Sequence, residues 1–322
     1  MWRVLFFCML LTPALSHGAA TASRQIPQTL ETESGRLYGS LTLPTAEKPV
    51  PVVLIIAGSG PTDRDGNNPE GGHNDAYKKL AQALVRHGIA SLRYDKRGVA
   101  ASRAAAPDER ELTVAAYVRD AQGWLKQLRD DPRLGPVFLL GHSEGALIAT
   151  LAAQAGGVDG LITLAGPGIP VGQLLDMQLA ARLPPDLLRQ SRHILAKLMR
   201  GTPDPEVPQA LEVVLRPSVQ PYLISLVSID PAQSLAQLEV PTLIVQGTHD
   251  AQVPPLNAAM LHTARPDSQV AVIDGMNHVL RITPQAWDAQ RDSYNDPTLP
   301  LARDLIDAIL MFIDSSYRPV SR

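Results

Sequence analysis

The feature that most constrains the fold of this chain is a serine motif, Gly141-His142-Ser143-Glu144-Gly145, that lies between two apolar runs. The run before it, 136–140, is typical of a buried parallel strand. The run after it, 146–153, consists mostly of strong helix formers. A tight turn between strand and helix needs small residues beside the serine. The motif therefore predicts a strained turn that exposes the Ser143 hydroxyl at a helix N-terminus, where the helix dipole and free N–H groups stabilise negative charge.

Partners for this serine are predicted at two other strand ends. Asp250 closes the apolar segment 240–250 in a Gly-x-x-Asp turn, and His278 follows the apolar run 269–273 in a glycine-containing loop. The carboxyl ends of parallel strands meet at one edge of a sheet, so we expect the three side chains together there. Taken singly, the serine motif could be a glycine-rich turn, the aspartate a turn former and the histidine a solvated side chain. Because the order serine, acid, histidine is that of one hydrolase architecture, we interpret Ser143, Asp250 and His278 as a catalytic triad.

Other candidate residues are weighed against this triad. Asp274 precedes His278 by four residues and is the alternative acid, although a role in its own turn is the simpler interpretation. His142 is expected to pack within the elbow, and His249 to be a loop residue. The histidines do not show the spacing of a metal-binding motif, so the sequence predicts no metal and no cofactor.

Three longer motifs resemble the α/β-hydrolase superfamily, and within it a group of bacterial carboxylesterases. They are Gly-Ser-Gly-Pro-Thr-Asp-Arg-Asp-Gly-Asn at 58–67, Tyr-Asp-Lys-Arg-Gly-Val at 94–99 and Met-Asn-His-Val-Leu at 276–280. The match runs from about Leu30 to the C-terminus, apart from one insert. This resemblance implies an α/β-hydrolase fold and an esterase that acts on acyl esters. More distant members of the fold are serine peptidases and thioesterases.

The resemblance also implies where a developing oxyanion would bind. One donor would be the backbone N–H of Glu144, the residue after the nucleophile. Relatives have His-Gly-x where this chain has residues 57–59, which makes the backbone N–H of Ser59 the second donor. The chain departs from its relatives at one nearby position, because many of them read Gly-Val-Gly-x-Ser where this chain has Ala100.

We call residues 58–67, the segment that carries Ser59, the predicted oxyanion loop. Charged and polar residues in and around it are expected to be structural. Those of the loop itself either anchor it or contact substrate, and anchoring is favoured; they are Asp63, Arg64, Asp65 and Asn67. Asp95 and Arg97, after the next strand, are interpreted as an ion pair at a strand end.

Composition bounds the number of domains and the class of partner. The chain has 322 residues, 45% hydrophobic and 19% charged, which is typical of a globular enzyme with one core. A net charge of −3 and the lack of a Lys/Arg cluster argue against a nucleic-acid partner. The expected partner is a small-molecule acyl ester, and nothing in the sequence indicates an oligomeric state.

The N-terminal residues 1–22 are typical of a secretory signal peptide. Arg3 precedes an unbroken apolar run, 4–11, and small residues follow it. Because the run is too short to cross a bilayer stably, we expect cleavage and export to the periplasm or the medium; an uncleaved membrane anchor is the alternative. The one cysteine, Cys8, lies in this run, so the mature domain, 23–322, would fold without disulfides.

Alternating strand and helix patterns predict a mostly parallel sheet with helices on both faces. The alternation stops at about 166–238, a Leu- and Pro-rich insert with helical runs at 172–182, 185–200 and 207–215 and no convincing strand. The insert follows the sixth strand, where relatives place a helical cap over the active site. We therefore expect it to set ester specificity, with a surface excursion as the alternative.

The predicted chemistry is ester hydrolysis through an acyl-enzyme. Ser143 attacks the ester carbonyl, His278 carries the proton to the leaving alcohol, and Asp250 orients His278. A serine peptidase, amidase or thioesterase of the same fold is the first alternative, although the scattered acidic residues of the insert indicate no amine pocket. A non-catalytic binding protein is the second, and the intact order of the triad argues against it.

Overall fold

The computed structural model describes residues 22–69 and 71–317, so the predicted signal peptide, 1–22, lies outside the described residues apart from Ala22. The described part of the chain forms an eight-stranded sheet in the order β1-β2-β4-β3-β5-β6-β7-β8. The strands are β1 Ser23–Thr32, β2 Gly35–Pro44, β3 Val50–Ile56, β4 Ala90–Tyr94, β5 Leu134–His142, β6 Gly160–Leu164, β7 Thr242–Gly247 and β8 Gln269–Ile273. β1 and β2 form an antiparallel hairpin, β2 pairs antiparallel with β4, and the remaining neighbours are parallel.

Helices connect and cover these strands. They are α1 Ala76–Arg86, α2 Val114–Arg129, α3 Glu144–Ala153, α4 Val171–Ala180, α5 Pro185–Leu198, α6 Glu212–Leu215, α7 Gln220–Val227, α8 Pro231–Ala236, α9 Leu256–Ala264, α10 Trp287–Arg291 and α11 Arg303–Tyr317. Short 3₁₀ helices lie at Ala100–Ala105, Glu109–Glu111, Gln209–Leu211 and Asp292–Asn295.

The central strand β3 shows why the sheet is covered on both faces. Its side chains alternate between the two faces, as the pleat of a strand requires. Leu54 and Ile56 lie in one hydrophobic cluster with residues of α2 and α3, whereas Val53 and Ile55 lie in a second cluster with residues of α1 and α11. All four side chains are buried. The predicted mostly parallel sheet, covered by helices on both faces, is confirmed.

The regular elements of the insert between β6 and β7, α4 to α8, are all helical. Helices α4, α5 and α6 overlap the three predicted helical runs, whereas α7 and α8 were not predicted. The helices of the insert join the same cluster as α2 and α3. The ring of Tyr222 in α7 lies 5.5 Å from that of Tyr117 in α2, and Arg216 forms a 2.6 Å ion pair with Glu109 in the 3₁₀ helix before α2. The insert is therefore fixed to the part of the sheet that carries the serine motif.

Candidate active site

The backbone at Ser143 has the strain that its motif predicts. Its φ of 55° and ψ of −126° place it in a region that L-residues avoid. A Cβ on Gly141 would lie 2.0 Å from the carbonyl oxygen of Gly145, and one on Gly145 would lie 2.3 Å from that of Ile56. Glycine is therefore required on both sides of the serine, because strand and helix cross too closely for any side chain.

Asp250 and His278 are in direct contact, and both are buried. Nδ1 of His278 lies 2.8 Å from Oδ2 of Asp250. The other carboxylate oxygen accepts hydrogen bonds of 2.8 Å from the backbone N–H groups of Gln252 and Val253. Burial acts to raise the pKa of Asp250, but the charge of His278, its hydrogen bond and these backbone donors hold that pKa below its ordinary value. An ionised Asp250 keeps the proton of the imidazole on Nδ1 and leaves Nε2 as an acceptor.

The alternative residues contact other partners. Asp274 is exposed and accepts a 3.0 Å hydrogen bond from the Thr248 hydroxyl. Nδ1 of His249 lies 2.6 Å from the carbonyl oxygen of Thr283, which fits the interpretation of His249 as a loop residue. The acid that contacts His278 is thus Asp250.

Two cavities of the described structure meet at Ser143. The larger has a volume of about 670 Å³ and is lined by Ser59, Lys96 and Glu144 as well as Ser143, with more than half of its lining supplied by the insert. The smaller has a volume of about 140 Å³ and is lined by Ser59, Ser143 and His278 among others. Ser143, the predicted oxyanion loop and His278 are therefore brought to one place, beneath the insert.

The two peptides that flank the Cα of Gly58 are each held by one side chain. A Cβ on Gly58 would lie 3.2 Å from Cβ of Ser143, so they pass beside the serine. The backbone N–H of Gly58 donates to the Tyr77 hydroxyl at 3.1 Å, and Nζ of Lys96 donates to the Gly58 carbonyl oxygen. In a trans peptide the next N–H points away from that carbonyl. Lys96 therefore fixes the direction of the Ser59 N–H, one of the two predicted oxyanion donors.

Glu144, whose backbone N–H is the other predicted donor, is the first residue of α3. The backbone N–H of the first residue of a helix has no acceptor within the helix, so the Glu144 N–H is available to a ligand. The side chain of Glu144 is half-buried and lies near Lys96. Burial lowers the pKa of Lys96, and the carboxylate of Glu144 opposes that shift. Lys96 belongs to the motif at 94–99, but the sequence did not indicate a role for it.

A directed chain of hydrogen bonds joins the oxyanion loop to His278 through His142. Because the Tyr77 hydroxyl accepts from Gly58, its own proton is free to be donated to Nδ1 of His142, 2.8 Å away. Nε2 of His142 then donates to the backbone carbonyl oxygen of His278 at 2.9 Å. Burial and the neighbouring His278 lower the pKa of His142 to about 3, which keeps the ring neutral. The sequence predicted packing within the elbow for His142 and missed these hydrogen bonds.

Polar side chains anchor the oxyanion loop to the rest of the fold, as favoured from the sequence. Oδ1 of Asp63 accepts from the backbone N–H groups of Asp65 and Asn67 at 2.8 and 2.9 Å. Asp65 also pairs with the buried Arg93 of β4. Oδ1 of Asn67 accepts from the backbone N–H groups of the two residues before α1, at 3.0 and 2.9 Å.

The predicted ion pair between Asp95 and Arg97 was wrong. Asp95 pairs with Arg64 of the oxyanion loop at 2.6 Å, and Arg97 pairs with Asp120 of α2. The chain turns after β4 ends at Tyr94, so the two side chains reach different elements. Both residues are structural, but with other partners.

The described residues show no group of three or more His, Cys, Asp or Glu side chains that could hold a metal ion. In the same residues, no helix is long and apolar enough to cross a membrane.

Comparison with known proteins identifies relatives of this chain. A sequence profile of the family described as "Serine aminopeptidase, S33" matches residues 70–284. Esterase EstD from Thermotoga maritima is 30% identical over 251 residues, which are 76% of this chain and 58% of that protein. The chain thus spans less than two thirds of the length of this relative.

Solved structures show the same architecture. Est1E from Butyrivibrio proteoclasticus is 17% identical, with a TM-score of 0.59 over 90% of this chain and 98% of that one. A protein from Xanthomonas campestris, described as a member of a/b serine hydrolase without lid, is 18% identical, with a TM-score of 0.52 over 95% of this chain and 100% of that one. These likenesses confirm the predicted α/β-hydrolase fold.

Proposed function

We propose that this chain, which belongs to the serine aminopeptidase S33 family, is a carboxylesterase that hydrolyses acyl esters through an acyl-enzyme on Ser143. One observation carries the proposal: Ser143, on a strained turn, lines the same cavity as His278. Nδ1 of His278 is hydrogen-bonded to the buried carboxylate of Asp250. That arrangement has the parts that nucleophilic acyl transfer needs. The relative named Esterase EstD supports the same chemistry.

The residues of the site then divide the reaction among them. Nε2 of His278 takes the proton of Ser143 as its Oγ bonds to the ester carbonyl carbon, and the carbonyl oxygen becomes an oxyanion held by the N–H groups of Ser59 and Glu144. His278 then gives that proton to the leaving alkoxide, and the alcohol departs. Water, deprotonated by His278, attacks the acyl-enzyme, which releases the carboxylic acid and returns the proton to Ser143. Asp250 stabilises the imidazolium in both halves of the cycle.

Esters rather than peptides are proposed because the wall of the large cavity is mostly apolar. An aminopeptidase must bind the ammonium group of its substrate, which a free carboxylate does well. Of the two described carboxylates of the lining, Glu109 pairs with Arg216 at 2.6 Å, and the charge of Glu144 acts on the buried Lys96. An uncharged acyl group suits this lining better than an ammonium group does.

The test compares ester and amide substrates on the wild type and Ser143→Ala. We expect hydrolysis of p-nitrophenyl butyrate, little or none of leucine p-nitroanilide, and labelling of the wild type alone by a fluorophosphonate. Ser234→Ala, the same replacement in α8 away from both cavities, should keep full activity. Preferred cleavage of the anilide would make the protein a peptidase, and more than a few per cent residual activity in Ser143→Ala would assign the nucleophile elsewhere.

We also propose that residues 1–22 are a cleaved signal peptide and that the mature domain, 23–322, is exported with the insert 166–238 as its cap. The charged and then apolar N-terminal pattern supports export, and β1 begins at Ser23, directly after the predicted signal peptide 1–22. The lining of the large cavity supports the cap. N-terminal sequencing of the protein produced from the full chain in bacteria should show a start after Gly18, Ala20 or Ala22. An intact Met1 in the membrane fraction would favour an anchor.

A further inference from the structure

We infer that the preferred substrates are esters of a large apolar acid and a short alcohol, with the acyl group in the large cavity and the alcohol in the small one. The inference rests on the proposed function and deepens it, because it assigns one half of the ester to each cavity.

The assignment begins with His278, because the leaving oxygen must receive its proton from that side chain. The alcohol therefore has to lie on the His278 side of the bond that breaks. Among the described residues that line each cavity, His278 is found in the smaller set alone, whereas Ser143 and Ser59 belong to both. The small cavity is thus on the leaving-group side, and the large one extends from the other side of Ser143.

The large cavity fits an apolar acyl chain. Its volume of about 670 Å³ is in the range of sites that hold drug-sized ligands. Leucines of α4 and α7 form much of its wall, including Leu174, Leu175, Leu179, Leu223 and Leu226. Each methylene that moves from water into such a lining gains about 0.8 kcal/mol, so longer acyl chains are favoured.

The small cavity limits the size of the alcohol. Its volume of about 140 Å³ is close to that of an engineered protein cavity, about 150 Å³, that holds one benzene molecule. Most of the residues that line it have polar side chains, and they include Thr62, Asn68 and Gln252. Its wall is closely packed at Gly72, where a Cβ would lie 2.2 Å from the backbone oxygen of Tyr294. An alcohol of a few heavy atoms fits, and a long alkyl alcohol does not.

The experiment measures kcat/KM by pH-stat on two series of alkyl esters, kept below their critical micelle concentrations. Alkyl alcohols have similar acidity, so rate differences report fit rather than leaving-group chemistry. Among methyl esters from acetate to hexanoate, we expect kcat/KM to rise about fourfold for each acyl methylene. Among butanoates from methyl to octyl, we expect little change up to butyl and a fall beyond it.

Two variants separate the cavities. Leu175→Trp, which fills the large cavity, should shorten the preferred acyl chain and leave the order of the alcohols unchanged. Val279→Ala, which widens the small cavity, should admit longer alcohols and leave the order of the acids unchanged. The assignment would be overturned if the kcat/KM of the wild type rose steeply with alcohol length and did not change with acyl length. It would also be overturned if kcat/KM changed in neither series. Failure to hydrolyse any ester would refute the proposed function instead, and the assignment with it.

Discussion

Replacing Lys96 with methionine tests whether the oxyanion loop is positioned by a buried charge. The ammonium group donates to the Gly58 carbonyl oxygen, and its side chain is 2% exposed. Methionine keeps a similar length and fills the same apolar space beside Tyr117, but it cannot donate. The peptide that carries the Ser59 N–H then loses the contact that fixes its direction.

The expected loss follows from the strength of that contact. A hydrogen bond from a charged donor contributes about 1.5–3 kcal/mol, which is below the roughly 2.7–4 kcal/mol that a lost oxyanion donor costs. Because Lys96 orients the donor and does not itself bind the oxyanion, the smaller range applies. At about 1.4 kcal/mol for each factor of ten, kcat should fall about 10- to 150-fold. KM should change by less than about twofold, since the donor acts on the transition state.

Stability should behave differently from activity. Removing the buried ammonium group removes its desolvation penalty. This gain in stability offsets the cost of leaving the Gly58 carbonyl without a hydrogen-bond donor. We therefore expect the free energy of unfolding to stay within about 1 kcal/mol of wild type, as such offsets allow.

The assay is kcat and KM on p-nitrophenyl butyrate together with urea unfolding, and Lys126→Met is the control at an exposed lysine of α2. Wild-type kcat in Lys96→Met would refute the positioning role. Activity lost in parallel with stability would mean that Lys96 merely holds the fold.

Three further predictions concern the acid, the elbow histidine and the departure from the family pattern. Asp250→Asn should lower kcat on p-nitrophenyl butyrate by roughly 10⁴, whereas Asp274→Asn should change it by less than about threefold; the reverse ranking would move the acid to Asp274. His142 has a pKa of about 3 when folded and an ordinary one when unfolded, so falling pH protonates the unfolded chain first and stability is lost below about pH 6.5. Between pH 7 and pH 5 the wild type should lose about 2 kcal/mol more unfolding free energy than His142→Gln, and equal losses would contradict the buried neutral ring. Ala100 has a φ of 42°, which strains an L-residue, and its side chain is exposed. Ala100→Gly should therefore raise the free energy of unfolding, measured in urea, by about 0.5–1 kcal/mol. A lower urea midpoint in the variant would show that the strain is absent.

The sequence allowed the fold and the three strand-end residues to be predicted because their signals are local. Ser143 lies between a strand pattern and a helix pattern, and Asp250 and His278 each follow a strand of their own. In a parallel sheet the strand ends converge, so a rule about one strand at a time suffices to bring these residues together. Helix capping is local in the same way, since the Thr113 hydroxyl accepts from the N–H of Ala116 at the start of α2.

Contacts between distant segments could not be predicted in this way. Three such contacts link a side chain to a loop that is distant in sequence: Lys96 and Tyr77 to Gly58, and His142 to His278. No periodic pattern in the sequence indicates which loop a side chain will contact. The wrong pair between Asp95 and Arg97 has the same origin, because closeness in sequence was taken for closeness in space. The short helices α7 and α8 were missed since each offers too few residues for a helical period to be visible.

The residues that sequence patterns missed are those that make the site rigid. The Gly58 peptide and His278 both lie outside regular elements, where backbone geometry is least constrained. Tyr77 and His142 connect them through hydrogen bonds in which each hydroxyl and ring N–H donates once, so the proposed oxyanion loop and the proposed general base are held by one buried chain. A catalytic geometry accurate to about half an ångström needs such support from surrounding side chains. The neutrality of His142 is part of that support, because a protonated ring would have no lone pair left to accept from Tyr77.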